Sequence, residues 1–173
     1  AGPGSFPGLR IGSATAKGLG LALDKPLIHI PTVDGLAYNL AGSSAYVCPL
    51  MDARRSQVYT GLYRFQGYRM DAVIGQCAVG IDEIIAQINM HGQAVTFLGD
   101  GVRVSEPYIS QHCKVPYTFA PAHLNKQRAS AVAVLAMDDV RRGKIQTAAE
   151  HRPEYLRLSQ AERERMEAQH DGA

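Results

Sequence analysis

The sequence predicts an α/β fold, because short apolar strands alternate with amphipathic helices along the chain. Its 173 residues are 46% hydrophobic and 20% charged, which is typical of a folded protein with one domain or two small lobes. Val95–Leu98 has the short apolar run of a buried strand, and residues 128–142 have the apolar face of a long helix. Elements that alternate in this way favour helices layered on a sheet.

The first forty residues predict a helix, a strand and a second helix, over residues 8–23, 26–30 and 33–41. Thr32 is expected to cap the second helix, which should end at Gly42. The chain opens on Ala-Gly-Pro-Gly, a turn of the kind that joins two elements, so we expect another strand in front of it.

The remaining chain predicts a mainly β segment followed by alternating helices and strands. The expected strands cover residues 46–51, 57–65, 73–79, 95–98 and 117–120, and the expected helices cover 81–90, 104–111 and 128–142. Residues 153–158 should be extended. Ser159 and Glu162 form a capping box that predicts a last, polar helix or tail.

A stripe of small residues lies along the first predicted helix. Gly8, Gly12, Ala16 and Gly20 recur every four residues and therefore share one face. Such a face lets another backbone approach closely. Packing on the chain's own sheet and packing on a partner both fit the spacing.

Composition narrows the classes of function. The formal net charge is only +2, so a direct nucleic-acid footprint is not expected. Three widely spaced cysteines fit a reducing cytoplasm, and no apolar run is long enough to cross a membrane. The six histidines form no pair at metal-ligand spacing, so no metal or other cofactor is predicted.

Three places could bind an anion, and each has a structural alternative. Gly4 and Ser5 precede a helix, where backbone N–H groups favour negative charge, yet they also make an ordinary turn. Asp100 lies in a Gly-Asp-Gly turn after a strand, which is either a ligand loop or a helix cap. The cluster Asp52-Ala53-Arg54-Arg55 is either a solvated hairpin tip or a contact with a partner or a phosphate.

Several motifs together resemble the TsaB family of tRNA threonylcarbamoyladenosine biosynthesis proteins, which are inactive paralogues of TsaD in the glycoprotease-like superfamily. The first motif is the opening Ala-Gly-Pro-Gly-Ser-Phe-Pro-Gly-Leu-Arg-Ile-Gly, in which Pro7 stands where the family usually has Thr. The other motifs are residues 14–19, residues 52–55 with 58–59, residues 99–101 and residues 153–157.

The resemblance implies an actin/Hsp70/sugar-kinase-like fold with two RNase-H-like lobes. It also implies that the sequence is N-terminally truncated and that its first lobe is incomplete. Residues 1–44 would then be the remainder of the first lobe, 45–158 the second lobe, and 159–173 a polar tail or helix.

The resemblance also implies a protein without a catalytic centre. Two metal-binding histidines of TsaD match Thr32 and Leu36 of this chain, and neither side chain replaces a histidine ligand. No catalytic, metal or cofactor residue is therefore expected.

The function implied is a cytoplasmic accessory subunit that binds and activates a TsaD-like transferase. A TsaE-like ATPase would join the complex, a homodimer is possible, and tRNA would be contacted only indirectly. The stripe Gly8, Gly12, Ala16 and Gly20 is the expected partner surface. Two alternatives are a nucleotide-binding enzyme of the kinase superfamily and a metallopeptidase-like protein.

Overall fold

A computed structural model of the protein describes residues 2–156. The helices in this part of the chain are α1 (Phe6–Leu23), α2 (Thr32–Ala37), α3 (Ile81–His91), α4 (Val102–His112) and α5 (Ala129–Arg141). The strands are β1 (Tyr46–Asp52), β2 (Gln57–Gln66), β3 (Arg69–Gly80), β4 (Val95–Leu98) and β5 (Tyr117–Phe119). Short 3-10 turns follow α2 and β5, at Tyr38–Leu40 and Ala122–Leu124.

The five strands form one mixed sheet in the order β3-β2-β1-β4-β5. The first three strands are antiparallel neighbours, while β4 and β5 run parallel to β1. Parallel neighbours need a crossover, and α3 and α4 provide the connections that lead into β4 and β5. This strand order is that of an RNase-H-like lobe.

Two apolar clusters cover the sheet. In one of them, α3 and α4 pack on the strands through Ile84, Ile85, Ile88 and Ile109, which are almost fully buried. In the other, α2 contributes Val33 and Leu36, which pack with Tyr63 of β2 and Leu98 of β4. Helix α2 therefore packs directly on one face of the sheet.

Helix α1 is attached mainly through the segment that follows α5. Leu27 and Gln146 exchange two backbone hydrogen bonds of 2.8 Å, which hold residues 144–151 beside the end of α1. The Lys17 ammonium donates to the His151 carbonyl at 3.1 Å. These contacts place one side of α1 against the rest of the chain.

Most predicted helices and strands are confirmed, and their observed ends differ from the predicted ones by at most four residues. The corrections concern the chain near residue 30. The strand predicted over 26–30 is wrong, because only Leu27 pairs, in a single isolated bridge with Gln146. Thr32 is not a cap: Pro31 holds that position, and α2 already ends at Ala37. The predicted capping box at Ser159 and Glu162 lies outside the described residues.

Among residues 2–156, no helix is both long enough and apolar enough to span a membrane.

Candidate functional site

The start of α1 is fixed by local interactions. Ser5 has extended backbone angles and its hydroxyl accepts the Gly8 N–H at 3.3 Å, as an N-cap does. Pro7 lies in the first turn, where its missing N–H costs little. The helix ends at Asp24, which adopts left-handed angles (φ 50°) and donates its N–H to the Gly20 carbonyl.

The charged side chains of α1 lie on one side of the helix and contact its own chain. The Arg10 guanidinium lies 4.1 Å from the centre of the Phe6 ring and donates to the Tyr155 hydroxyl at 3.4 Å. Lys17 donates to the carbonyls of Ala149 and His151. Arg10 and Lys17 are the only charged residues of α1, so none is left for its outer face.

The outer face of α1 is apolar and open. Ile11 is 68% exposed, and the side chains of Leu19, Leu21 and Leu23 are also more than half exposed. In an 18-residue helix, Gly20 is the one buried residue. A helix that is apolar on nearly all sides is normally covered by protein, and nothing in residues 2–156 covers this outer face.

The four residues of the small-residue stripe lie in different surroundings. Gly20 packs on the chain itself, since a Cβ there would lie 3.0 Å from the Lys25 carbonyl and 3.3 Å from Ala148 Cβ. Gly12 has nothing within 4 Å of such a Cβ, and Gly8 is close only to the hydroxyl of Ser5. Ala16 is half-buried. Only the first part of the stripe is therefore free to meet a partner.

A groove of about 190 Å³ runs along this part of α1, lined by Gly8, Leu9, Gly12, Ser13, Ala16, Ile28 and His151. His151 is buried at its inner end, and burial together with nearby positive groups lowers the pKa of its imidazole. The groove is small, which suits close packing of a backbone rather than a bulky ligand.

The residues predicted to bind an anion have structural roles. The Ser5 hydroxyl caps α1, and Gly4 lies next to the side chain of Leu9. The Asp100 carboxylate accepts the Asp52 N–H at 3.2 Å and joins the β4–α4 turn to β1. Gly99 (φ 112°) is needed there, because a Cβ would collide with the Leu50 carbonyl. Ligand binding at these residues stays a prediction.

The turn between β1 and β2 has a backbone conformation that the sequence did not indicate. Arg54, Arg55 and Ser56 all have positive φ, at 61°, 54° and 57°. The Arg54 N–H donates to the Asp52 carboxylate at 2.7 Å, and the Gln57 N–H returns to the Arg54 carbonyl. A cavity of about 590 Å³ opens beside this turn, between β2, the first residue of α3 and one side of α4 from Val104 to Gln111.

The positions matched to metal ligands of TsaD are occupied by structural side chains. Leu36 is 2% exposed and packs in the α2 core, and Thr32 accepts the Gln127 amide at its carbonyl. Residues 2–156 contain no group of three or more His, Cys, Asp or Glu side chains placed to hold a metal. Asp34, between them, accepts the Tyr63 hydroxyl at 2.6 Å, and burial raises its pKa despite this bond.

Comparisons with known proteins identify the family of the chain. The family model described as TsaD, tRNA N6-adenosine threonylcarbamoyltransferase, matches residues 1–165. The chain is 32% identical over 171 residues to the tRNA threonylcarbamoyladenosine biosynthesis protein TsaB of Bacillus subtilis (strain 168), covering 97% of this chain and 72% of that protein. A shorter similarity, 41% over 63 residues, is to an uncharacterized protein of Mycobacterium leprae (strain TN), with 36% of this chain and 17% of that one covered.

Two solved structures from Pseudomonas aeruginosa have the same fold, each at 24% identity and a TM-score of 0.70. One is YeaZ, with 89% of this chain and 71% of YeaZ covered. The other is an uncharacterized protein with similarity to peptidase YEAZ, with 90% and 70% covered. Their likeness confirms the predicted actin/Hsp70/sugar-kinase-like fold class.

Proposed function

Because the chain belongs to the TsaB family of tRNA threonylcarbamoyladenosine biosynthesis proteins, we propose that it is a non-catalytic partner subunit in this tRNA modification. In this role it binds a TsaD-like threonylcarbamoyltransferase in the cytoplasm and holds it in an active form. A TsaE-like ATPase joins through the complex. The mild net charge of +2 supports indirect rather than direct contact with tRNA.

The outer face of α1 is the observation that carries this proposal. Ile11, Leu19 and Leu23 are exposed beside Gly8 and Gly12, and Arg10 and Lys17 are both turned to the helix's own chain. An uncharged apolar face of this length is costly to leave in water, at roughly 25 cal/mol for each Å² of apolar surface. A protein partner of matching apolar character removes that cost.

The side chains at Thr32 and Leu36 support a role without metal chemistry. A leucine in an apolar core offers no ligand atom, so a divalent ion bound as in a TsaD-like enzyme would have no ligand at Leu36. At Thr32 a hydroxyl, which is a weak ligand, would replace the second histidine. The transferase activity is then supplied by the partner. The accessory subunit contributes binding energy and shape.

A charge placed on the outer face of α1 tests the interface. Ile11→Lys adds an ammonium that must be desolvated on docking, and we expect affinity for the TsaD-like partner to fall about a hundredfold, or roughly 2.7 kcal/mol. Isothermal titration calorimetry measures the affinity. Met90→Lys is the matched control, because Met90 is a similarly exposed apolar residue on α3.

Three outcomes are informative. Loss of binding in Ile11→Lys alone, with melting curves unchanged in both variants, supports the interface on α1. Equal loss in both variants points to a non-specific effect of charge, and unchanged affinity in Ile11→Lys excludes this face as the partner surface. Size-exclusion chromatography of the free protein shows whether a second copy uses the same face.

A further inference from the structure

The groove along α1 contains a buried histidine with an unsatisfied ring nitrogen. His151 is only 7% exposed, and it lines the groove together with Gly8 and Gly12. The Nδ1 atom of its ring is buried and makes no hydrogen bond with any residue from 2 to 156. A buried polar atom without a partner is unfavourable, and in a folded protein it calls for a specific explanation. The unused hydrogen-bonding capacity of His151 therefore indicates that another group binds in the groove.

The position of His151 is fixed by its backbone and by the turn that precedes it. Its N–H donates to the Thr147 carbonyl at 3.1 Å, and its carbonyl accepts the Lys17 ammonium, also at 3.1 Å. The Glu150 carboxylate closes the turn, because it accepts both the N–H and the hydroxyl of Thr147. These bonds hold the residue at the groove, so a binding partner has to come to it.

The charged groups that act on the ring are mainly positive. The ring centres of His29 and His151 lie 6.0 Å apart, and the Lys17 ammonium lies at the His151 carbonyl. Burial, together with His29 and Lys17, lowers the pKa of His151, so its ring is neutral in the free protein at neutral pH. The carboxylate beside His29 is that of Glu154, and it already contacts His29 Nε2 at 3.2 Å and the Gln76 amide at 2.9 Å. The inner end of the groove therefore has a surplus of positive charge.

A carboxylate is the group that complements these surroundings. It accepts a hydrogen bond from the imidazole, and its charge is attracted by Lys17. The Ser13 hydroxyl lines the same groove and supplies a further donor. An ammonium or guanidinium group would be repelled there, and a neutral hydroxyl would leave the positive charge uncompensated. At about 190 Å³, the groove accommodates a side chain rather than a larger ligand.

On the basis of the proposed partner role, on which this step rests, we propose that the TsaD-like partner inserts an aspartate or glutamate side chain into the groove and pairs it with His151. Gly12 favours the approach, because nothing lies within 4 Å of the position of a Cβ there and the partner's backbone can come close. His151 is then a specificity-determining residue, since a protein without the carboxylate would leave the ring unsatisfied. A carboxylate also favours the protonated imidazole, so formation of the complex takes up a proton.

Titration calorimetry of the parent protein against the TsaD-like partner tests this pairing. Repeating the titration in buffers of different ionisation enthalpy counts the protons that are taken up. We expect an uptake of up to about one proton per complex, and an affinity roughly tenfold tighter near pH 6 than near pH 8. The direction follows because the ring is neutral in the free protein and protonated in the complex, so a lower pH favours the complex.

Variants at three histidines identify the group that takes up the proton. His151→Gln keeps a hydrogen-bonding side chain that does not titrate, so it should bind like the parent near pH 8 and about tenfold more weakly near pH 6. His29→Gln should keep most of the proton uptake. The matched control is His123→Gln, an exposed histidine in the 3-10 turn Ala122–Leu124, and it should keep the pH profile of the parent. Melting curves of the free variants show whether each one folds like the parent.

The outcomes separate this pairing from the interface itself. Partner binding without proton uptake, or the same pH dependence in His151→Gln as in the parent, would overturn the pairing and leave the docking surface on α1 standing. Uptake that is lost in His29→Gln but kept in His151→Gln would also overturn it. A parent protein that fails to bind the partner at any pH would overturn the proposed function as well. Self-association of the free protein that depends on pH and on His151 would place the carboxylate on a second copy, and would overturn its assignment to the partner.

Discussion

Helices α3 and α1 bury very different shares of their apolar side chains. In α3, the isoleucines at 84, 85 and 88 are about 1% exposed, while Asp82 and Glu83 lie on the open side. Helix α1 is longer, yet only Gly20 is buried and Ile11 is 68% exposed. The fold of residues 2–156 accounts for every apolar residue of the inner face of α3. It leaves the outer face of α1 without a matching surface, and this difference is the reason that we propose a partner there.

The largest expected effect compares the same substitution in the two helices. Ile85→Ala leaves a cavity in the core and should lower the free energy of unfolding by about 3 kcal/mol. Ile11→Ala removes exposed atoms and should change it by less than about 0.5 kcal/mol. Urea unfolding followed by circular dichroism measures both. A large loss in Ile11→Ala would mean that α1 is buried in the free protein, for example between two copies.

Helices and strands can be predicted from the sequence wherever other residues of the same chain cover their apolar faces. The isoleucine spacing of α3 predicts both its length and its buried face, and the apolar run of β4 predicts a buried strand. The error at residues 26–30 has the opposite cause: Leu27 and Ile28 are apolar because they pack beside α1 and residues 144–151, and they pair at only one position of an isolated bridge.

Two glycines of α1, Gly12 and Gly20, provide a smaller and more local comparison. Gly12→Ala should stabilise the protein by roughly 0.8 kcal/mol, because alanine favours the helix and the added methyl meets nothing. Gly20→Ala should bring no such gain, since its methyl would lie 3.0 Å from the Lys25 carbonyl and 3.2 Å from the Leu27 side chain. Melting temperatures of the two variants, measured side by side, check the difference; equal shifts would contradict it.

The candidate sites were only partly visible in the sequence. The small-residue stripe could be read from its spacing, but spacing cannot tell that Gly20 faces its own chain while Gly12 does not. Likewise, the sequence shows the two arginines at 54 and 55 only as a cluster of charge. Their left-handed backbone angles depend on how the turn closes onto Asp52. The cavity beside them depends on where α4 packs. Neither feature follows from residue type.

The smallest expected effect concerns a partly buried polar pair, Asp34 and Tyr63, whose two side chains bond to each other. Burial raises the pKa of Asp34 above 3.8, so the folded protein holds this proton more tightly than the unfolded chain does. The wild type should therefore lose stability relative to Asp34→Asn as pH rises from below 3.8 to neutral. The asparagine carbonyl can still accept the Tyr63 hydroxyl. Urea midpoints of both proteins across this range are the measurement, and a wild type that loses stability relative to Asp34→Asn as pH falls would contradict the assignment.

The mixed sheet has a consequence for the order in which the chain folds. β1, β2 and β3 are consecutive and antiparallel, so their contacts close short loops, whereas β4 can pair with β1 only after β2, β3 and α3 have been passed. Closing a longer loop costs more entropy and slows the step that needs it. We expect the hairpins to form in the folding transition state and the parallel pair to form later. Val79→Ala in β3 should then slow refolding, while Val95→Ala in β4 should mainly speed unfolding, as stopped-flow kinetics would resolve.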